Sequence, residues 1–198
     1  MFYDAVINNH GFPNDPFKAL VAPRPIGWIS TLSAEGVANL APYSFFNAMA
    51  ERPFYVVFGS NRRKDSLSNV EATGEFAVNL ACWDLREAVN ASSARVPHGV
   101  DEFELAGLKK AACRIVKCPR VAASPAVLEC RLFKVVDLPN DHGAAEDFVT
   151  IGRVVGIHID DRFIAEGRVN TAAMKLIARL GYSEYATVEE AWRMRRPD

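Results

Sequence analysis

Ile26-Gly27-Trp28-Ile29-Ser30-Thr31-Leu32 is followed at once by Ser33-Ala34-Glu35-Gly36 and then by Val37-Ala38-Asn39-Leu40. A run of strand formers, a turn closed by glycine and a second short apolar run predict a β-hairpin. Two further apolar stretches, Ser44 to Met49 and Phe54 to Phe58, are separated by the punctuation Arg52-Pro53 and predict two more strands. Upstream, residues 1–23 lack sustained periodicity and end in Ala22-Pro23-Arg24-Pro25, where the prolines favour extended backbone. They are expected to form an arm leading into the strands.

Downstream, Leu67, Val70 and Glu71 after Asn61-Arg62-Arg63-Lys64-Asp65-Ser66 predict a short helix ending at Gly74. Glu75 to Ala81 reads as a strand, Trp83 to Ala94 as a helix and Gly99 to Gly107 as a polar connection. Val127 to Val136 and Phe148 to Ile159 are rich in Val, Ile and Phe, flank the loop Asp137 to Gly143, and predict a long antiparallel pair. Ala172, Leu176 and Leu180 have helical spacing before Gly181, so residues 171–198 are expected to be a C-terminal helix and a polar tail. Many strands, few helices and no GxGxxG fingerprint imply a β-rich fold, all-β or α+β, rather than a doubly wound sheet.

A chain of 198 residues with 49% hydrophobic content is expected to be one domain, 1–198, with a packed core. Its 23 basic and 24 acidic residues nearly cancel, which gives no reason to expect nucleic acid or anionic lipid as a partner. No apolar run of about 18 residues and no secretion-signal pattern occurs, so neither membrane nor export is expected and the cytoplasm is the expected location. Cys82, Cys113, Cys118 and Cys130 form no CxxC pair and no zinc spacing with histidine, so reduced thiols and no metal are expected.

Two segments could carry chemistry. Arg62-Arg63-Lys64 with Ser66 stands at a strand-to-helix junction, where cations and free backbone N–H groups suit a phosphate. A solvated basic turn fits the same residues. Asn39 to Asn47, with Pro42, Tyr43, Ser44 and Phe45, mixes small, hydroxyl and amide residues with aromatics. That mixture suits a planar ligand, although on this run alone a bulged core strand with satisfied side chains is the favoured reading. Trp28 could stack on a ligand or fill the core, the second being the simpler use of an apolar strand. Asp101 and Glu102 could be an acid/base pair, though neighbours on an extended segment face opposite ways and a solvated turn is favoured. His10, His98, His142 and His158 sit in the arm, in two loops and in a strand, and each has an ordinary structural reading.

Arg24 to Leu32, Gly36 to Asn47, Arg63-Lys64-Asp65-Ser66-Leu67, Glu71 to Leu80, Gly99 to Phe103, Glu129-Cys130 and Gly152-Arg153-Val154 together resemble the flavin reductase-like, FMN-binding split-barrel family, and within it the flavoredoxin branch. The resemblance implies a six-stranded antiparallel Greek-key split β-barrel with a few peripheral helices. It also implies a homodimer with FMN, rather than FAD, at the subunit interface. It assigns the FMN phosphate to Arg63, Lys64 and Ser66, and the ribityl chain and ring to Ser30, Thr31, Pro42, Tyr43, Ser44, Phe45 and Asn47. It brings Arg179 and Tyr185 of the tail close to the flavin, although Tyr182 stands where the family often has a glycine.

No protein acid or base is implied as catalytic, since a flavin carries the redox chemistry itself. NADH or NADPH is the donor in the short NADH:flavin reductases, where a histidine precedes the Ile-Gly-Arg-Val segment. Asp147 stands there in this chain, so another donor, such as a redox partner protein, stays open. Three functions follow from the resemblance: a flavin-dependent oxidoreductase, an FMN electron carrier without NAD(P)H turnover, and a non-catalytic split-barrel interaction module.

Overall fold

The computed structural model describes residues 1–197; Asp198, the last residue of the expected polar tail, lies outside the described residues. The predicted hairpin is β1 (Gly27–Leu32) and β2 (Ala38–Tyr43), followed by β3 (Phe46–Glu51) and β4 (Phe54–Asn61). Helix α1 (Asp65–Thr73) leads to β5 (Glu75–Leu80), and α2 (Arg86–Ala91) and α3 (Glu102–Leu105) precede the long hairpin of β6 (Ala126–Pro139) and β7 (Ala145–Ile159). These strands form one antiparallel sheet of order β2-β1-β5-β6-β7-β4-β3.

That order dictates the shape. β2 and β3 are the two edges of a seven-stranded sheet, yet only Ser44 and Phe45 separate them in the chain. A two-residue link spans only about 7 Å, so the sheet must curl until its edges meet at that corner, which is a split barrel. The connection from β4 through α1 to β5 joins strands that β7 and β6 separate in the sheet, which supplies the Greek-key crossing, and α1 packs on β1, β2 and β5. Seven strands replace the expected six because the bend at Ser44-Phe45 divides one run of chain into two strands.

Alternation along β1 feeds two cores. Ile29 points into the barrel with Tyr43, Val56, Phe58, Val70, Phe76, Val78 and Cys130. Trp28 points outward into a second cluster with Leu40, Val89, Phe103, Val121 and Ile177. Both faces of the strand are buried, so its sequence reads as a continuous apolar run. Trp28 therefore fills the core, and its Nε1 donates to Ser92 Oγ at 2.9 Å. Inside the barrel Gly152 lies against Phe76, where an added Cβ would come within 2.2 Å of the ring.

Helix α1 ends where the sequence says it should: Gly74 has a φ of 72° and its N–H donates to the Val70 carbonyl. Two other helices differ from expectation. Trp83 to Ala94 divides into a 3₁₀ turn (Trp83–Leu85) and α2. The expected C-terminal helix over Thr171 to Leu180 is absent: turns occupy 171–175 and Ile177–Arg179 is a strand. Lys175 adopts a left-handed φ of 47°, which a helix interior does not admit. The backbone instead pairs with Arg24–Pro25 on one side and Tyr185–Thr187 on the other, burying Ile177 and Ala178. No helix among the described residues is long and apolar enough to cross a membrane.

Candidate functional site

The barrel corner and the start of α1 meet. Asn39 on β2 is 5% exposed, and its Oδ1 accepts from Ser66 Oγ at 2.7 Å and from Thr31 Oγ1 at 3.2 Å. Asn69 of α1 donates to Thr31 Oγ1 at 3.0 Å. On its other side Asn39 Nδ2 donates to both carboxylate oxygens of Glu102, at 3.1 and 3.0 Å, and the Leu40 N–H donates to Oε2 at 2.9 Å. Glu102 is thus not the expected solvated turn: Asp101 caps α3 through the Phe103 N–H, while Glu102 turns inward and is buried. Burial raises its pKa, with the Leu40 and Asn39 hydrogen bonds opposing.

Tyr43 joins this network at the corner. Burial raises the pKa of its phenol, and the Ser66 and Ser60 hydroxyls beside it act the other way. Its ring packs on Phe58 with centroids 5.0 Å apart. Of the predicted residues, then, Thr31, Tyr43 and Ser66 converge. Ser30 does not: the strand's alternation turns it to the other face, where Asn79 Nδ2 donates to its Oγ at 3.1 Å.

The basic residues surround the first turn of α1. Lys64 precedes the helix in extended conformation and no side chain caps the N-terminus, so the first-turn N–H groups are free to meet a ligand. Lys64 Nζ donates to Asn61 Oδ1 at 2.6 Å. Partial desolvation lowers the Lys64 pKa, and the like charges of Arg95 and Arg62 add to the effect. Among the described residues Arg62, Lys64 and Arg95 form no ion pair. Arg63 does: it pairs with Glu71 and lies 4.8 Å from the centroid of Phe148. Arg95 had no signal in the sequence, because only the fold brings the loop after α2 to this junction.

His98 closes the opposite side of the helix start. Its Nδ1 lies 2.7 Å from Asp65 Oδ1 and the Gly99 N–H donates to Asp65 Oδ2 at 3.3 Å. Asp65, through this hydrogen bond and its charge, raises the His98 pKa. Ser33, Asn39, Asn69 and Val100 complete a cleft beside the pair.

Phe45 is exposed at the corner with the Lys18 ammonium and the Arg24 guanidinium each 5.9 Å from its ring centroid. Arg24 pairs across strands with Arg179, whose guanidinium lies 4.5 Å over Tyr185. Arg179 and Tyr185 thus stand together on a small sheet beside the corner. Pro42 and Ser44 are half-buried at the corner, whereas Asn47 lies exposed on β3, its Oδ1 accepting from the Ala48 N–H. His142 is in an exposed turn, and His158 faces Glu129 on β6.

The chain is similar to known proteins over most of its length. An uncharacterized protein of Aquifex aeolicus is 36% identical over 172 residues, covering 84% of this chain and 85% of that one. The crystal structure of nitrilotriacetate monooxygenase component B from Bacillus cereus superposes with a TM-score of 0.89 at 29% identity, covering 98% of both chains. That of 2-nitrobenzoate 2-nitroreductase NbaA from Pseudomonas fluorescens gives 0.83 at 27% identity, covering 91% of this chain and 88% of that one. Flavoredoxin of Desulfovibrio vulgaris shares the fold at 15% identity and a TM-score of 0.78, over 88% of this chain and 91% of that one. The expected lean toward flavoredoxins therefore gives way to component B and NbaA, which are nearer on both measures. With the flavin reductase like domain matching residues 20–173, the chain belongs to that family.

Proposed function

We propose that the chain binds FMN across the barrel corner and acts as a flavin-dependent oxidoreductase. The observation that carries this reading is the uncapped start of α1 with Lys64 at its N-cap position, near enough to Arg62 and Arg95 to feel their charges, none of the three being in an ion pair among the described residues. A phosphate dianion matches that donor set. Arg63 and Ser66 join it by exchanging their present partners, Glu71 and Asn39, for phosphate oxygens. Tyr43, Ser44 and Phe45 would line the ring, with Arg179 and Tyr185 beside it. Ser30 acts only through the strand that holds Thr31. FMN fits this cleft ahead of FAD because the basic cluster suits a terminal phosphate.

Bound FMN supplies a two-electron acceptor that passes electrons onward. The protein's own part is to hold the phosphate, orient the ring and exclude water. A second copy of the chain is the natural cover for the ring's outer face. Phe45 at the corner, Met49 on the edge strand β3 and Phe54 at the start of β4 are 46, 64 and 53% exposed, apolar surface that a homodimer would bury. The names of component B and NbaA favour electron transfer to a partner oxygenase or to a nitroaromatic.

Anaerobic absorbance spectra with added FMN, before and after NADH or NADPH, test the reading. Flavin bands that bleach on mixing support a reductase. Bound FMN that stays unbleached supports an electron carrier fed by another protein, the reading that Asp147 favours. An Arg63→Ala, Lys64→Ala pair should weaken FMN binding by about a hundredfold or more, at about 1.5–3 kcal/mol for each of two charge-assisted contacts. Unchanged affinity in calorimetry would refute the phosphate assignment.

A further inference from the structure

On the side of the barrel away from α1's first turn, two short strands, Lys110–Ala111 and Arg120–Val121, pair antiparallel with Lys110 opposite Val121 and Ala111 opposite Arg120. Just beyond the end of this ladder Cys113 and Cys118 stand at the neck of the connecting loop, their side chains within hydrogen-bonding reach of each other. Both side chains pack on the same cluster, with Val116, Ala77 and Val127. Cys113 is half-buried at the loop's outer side and Cys118 is 1% exposed beneath it.

The loop is held in this shape by one carboxylate. Glu129 is 1% exposed. Its Oε1 accepts from the Arg114 N–H at 2.7 Å and its Oε2 from the Ile115 and Val116 N–H groups at 2.6 and 2.9 Å. His158 Nε2 lies 2.5 Å from Oε1. Burial works against the ionised form, but these hydrogen bonds outweigh it and hold the Glu129 pKa at about 2. The Cys113 sulfur, the Glu129 carboxylate and the His158 ring lie within 4.8 Å of one another, a grouping that could suggest a metal. The carboxylate, however, offers about four lone-pair sites and already meets four partners. That leaves thiol chemistry as the use of the cluster.

We propose that Cys113 and Cys118 are a redox-active dithiol, oxidised by hydrogen peroxide to a disulfide across the neck of the 112–119 loop. The Cys113 thiolate attacks the peroxide, an S–O bond forms, the O–O bond breaks and water leaves after proton uptake. The Cys118 sulfur then attacks Cys113, the S–S bond forms and the S–O bond breaks, releasing a second water and transferring two electrons in all. Cys113 is the attacking partner by position, since it alone of the two reaches the surface. The Cys118 thiol beside it lowers its pKa against burial, whereas the pKa of Cys118 is raised. Lys117 N–H donates to Glu75 at the start of β5, so the bond would stiffen the loop that abuts the end of α1.

The test uses the purified full chain without added flavin, so its failure is separable from that of the FMN reading. After hydrogen peroxide the chain should weigh two hydrogens less, and alkylation in denaturant should then modify two of its four thiols. The linked peptide should contain Cys113 and Cys118, and a small dithiol should reverse the change. Cys118→Ser should stop at a sulfenic acid on Cys113 that dimedone captures. Four thiols still alkylatable after peroxide, a bridge using Cys82 or Cys130, or stoichiometric zinc that Cys113→Ser releases would each overturn the assignment. The wild-type mapping decides the matter even if the variant fails to fold.

Discussion

Glu102→Gln isolates the buried network that fixes the start of α1. Asn39 cannot rotate its amide to suit a new partner, because its Oδ1 is held by Ser66 and Thr31. The new amide can still accept from the Leu40 N–H, but its –NH₂ then faces Asn39 Nδ2, donor against donor. An unsatisfied buried donor costs about 1–3 kcal/mol, and that range sets the expected loss at pH 7, since relief of a buried charge offsets the weaker Leu40 bond. At a urea m-value of about 2 kcal/mol/M, the midpoint should fall by about 0.5–1.5 M with m unchanged. The pH dependence carries the sharper check. The folded pKa of Glu102 lies above its ordinary 4.5, so the native state binds more protons than the unfolded one between those two values. Its contribution is full below pH 4.5 and is lost as pH rises to the folded pKa. Glutamine does not titrate, so the stability gap between the two proteins should widen on acidification from pH 7 toward 4.5. Equal stability at pH 7, or a gap that shrinks on acidification, would refute the geometry of the network.

Gly152→Ala should lose about 2–3 kcal/mol, and about 5–10 °C in Tm by calorimetry, because its Cβ would overlap Phe76 inside the barrel. Ser92→Ala leaves the buried Trp28 Nε1 without its acceptor and should cost about 1–3 kcal/mol in urea denaturation. Glu71→Gln should tighten FMN binding by up to about fivefold in calorimetry, since Arg63 no longer has to leave an exposed pair worth at most about 1 kcal/mol. The His98–Asp65 pair should persist in acid and be lost as pH rises through the raised His98 pKa. Amide exchange in residues 96–100 should accordingly speed up as pH rises through that pKa, beyond the base-catalysed rate, and His98→Ala should abolish that extra dependence.

The barrel was legible wherever one strand's own side chains carry the signal. β1, β6 and β7 are rich in β-branched and aromatic residues, and α1 is bounded by a glycine that must be left-handed. The segment 171–180 was misread because Ala172, Leu176 and Leu180 keep a helical spacing while the residues that decide its state lie elsewhere. Arg24–Pro25 and Tyr185–Thr187 offer ladder hydrogen bonds, and no window around Leu176 contains both. Glu102 was misread for a similar reason. Its partner Asn39 is 63 residues away, and without that partner a charged pair after a glycine belongs in water. The basic cluster at Arg62 to Lys64 was visible, but its completion by Arg95 was not.

The network and the corner together suggest why a phosphate site would sit at this end of the barrel. A free helix N-terminus attracts an anion, but its donors help only if they stay in place when the anion leaves. Asn69 ties α1 to Thr31 on β1, and Ser66 ties it to Asn39 on β2. Glu102 ties β2 in turn to α3. Each bond is made by a buried side chain, so breaking one would strand a polar atom in the core. The helix start is therefore held by the same hairpin whose end forms the Ser44-Phe45 corner. Any group bound by its phosphate at α1 would have its ring directed by a frame continuous with the phosphate's own donors. That continuity fixes distance as well as direction, and a substitution in the network should shift ring placement even where phosphate affinity is retained.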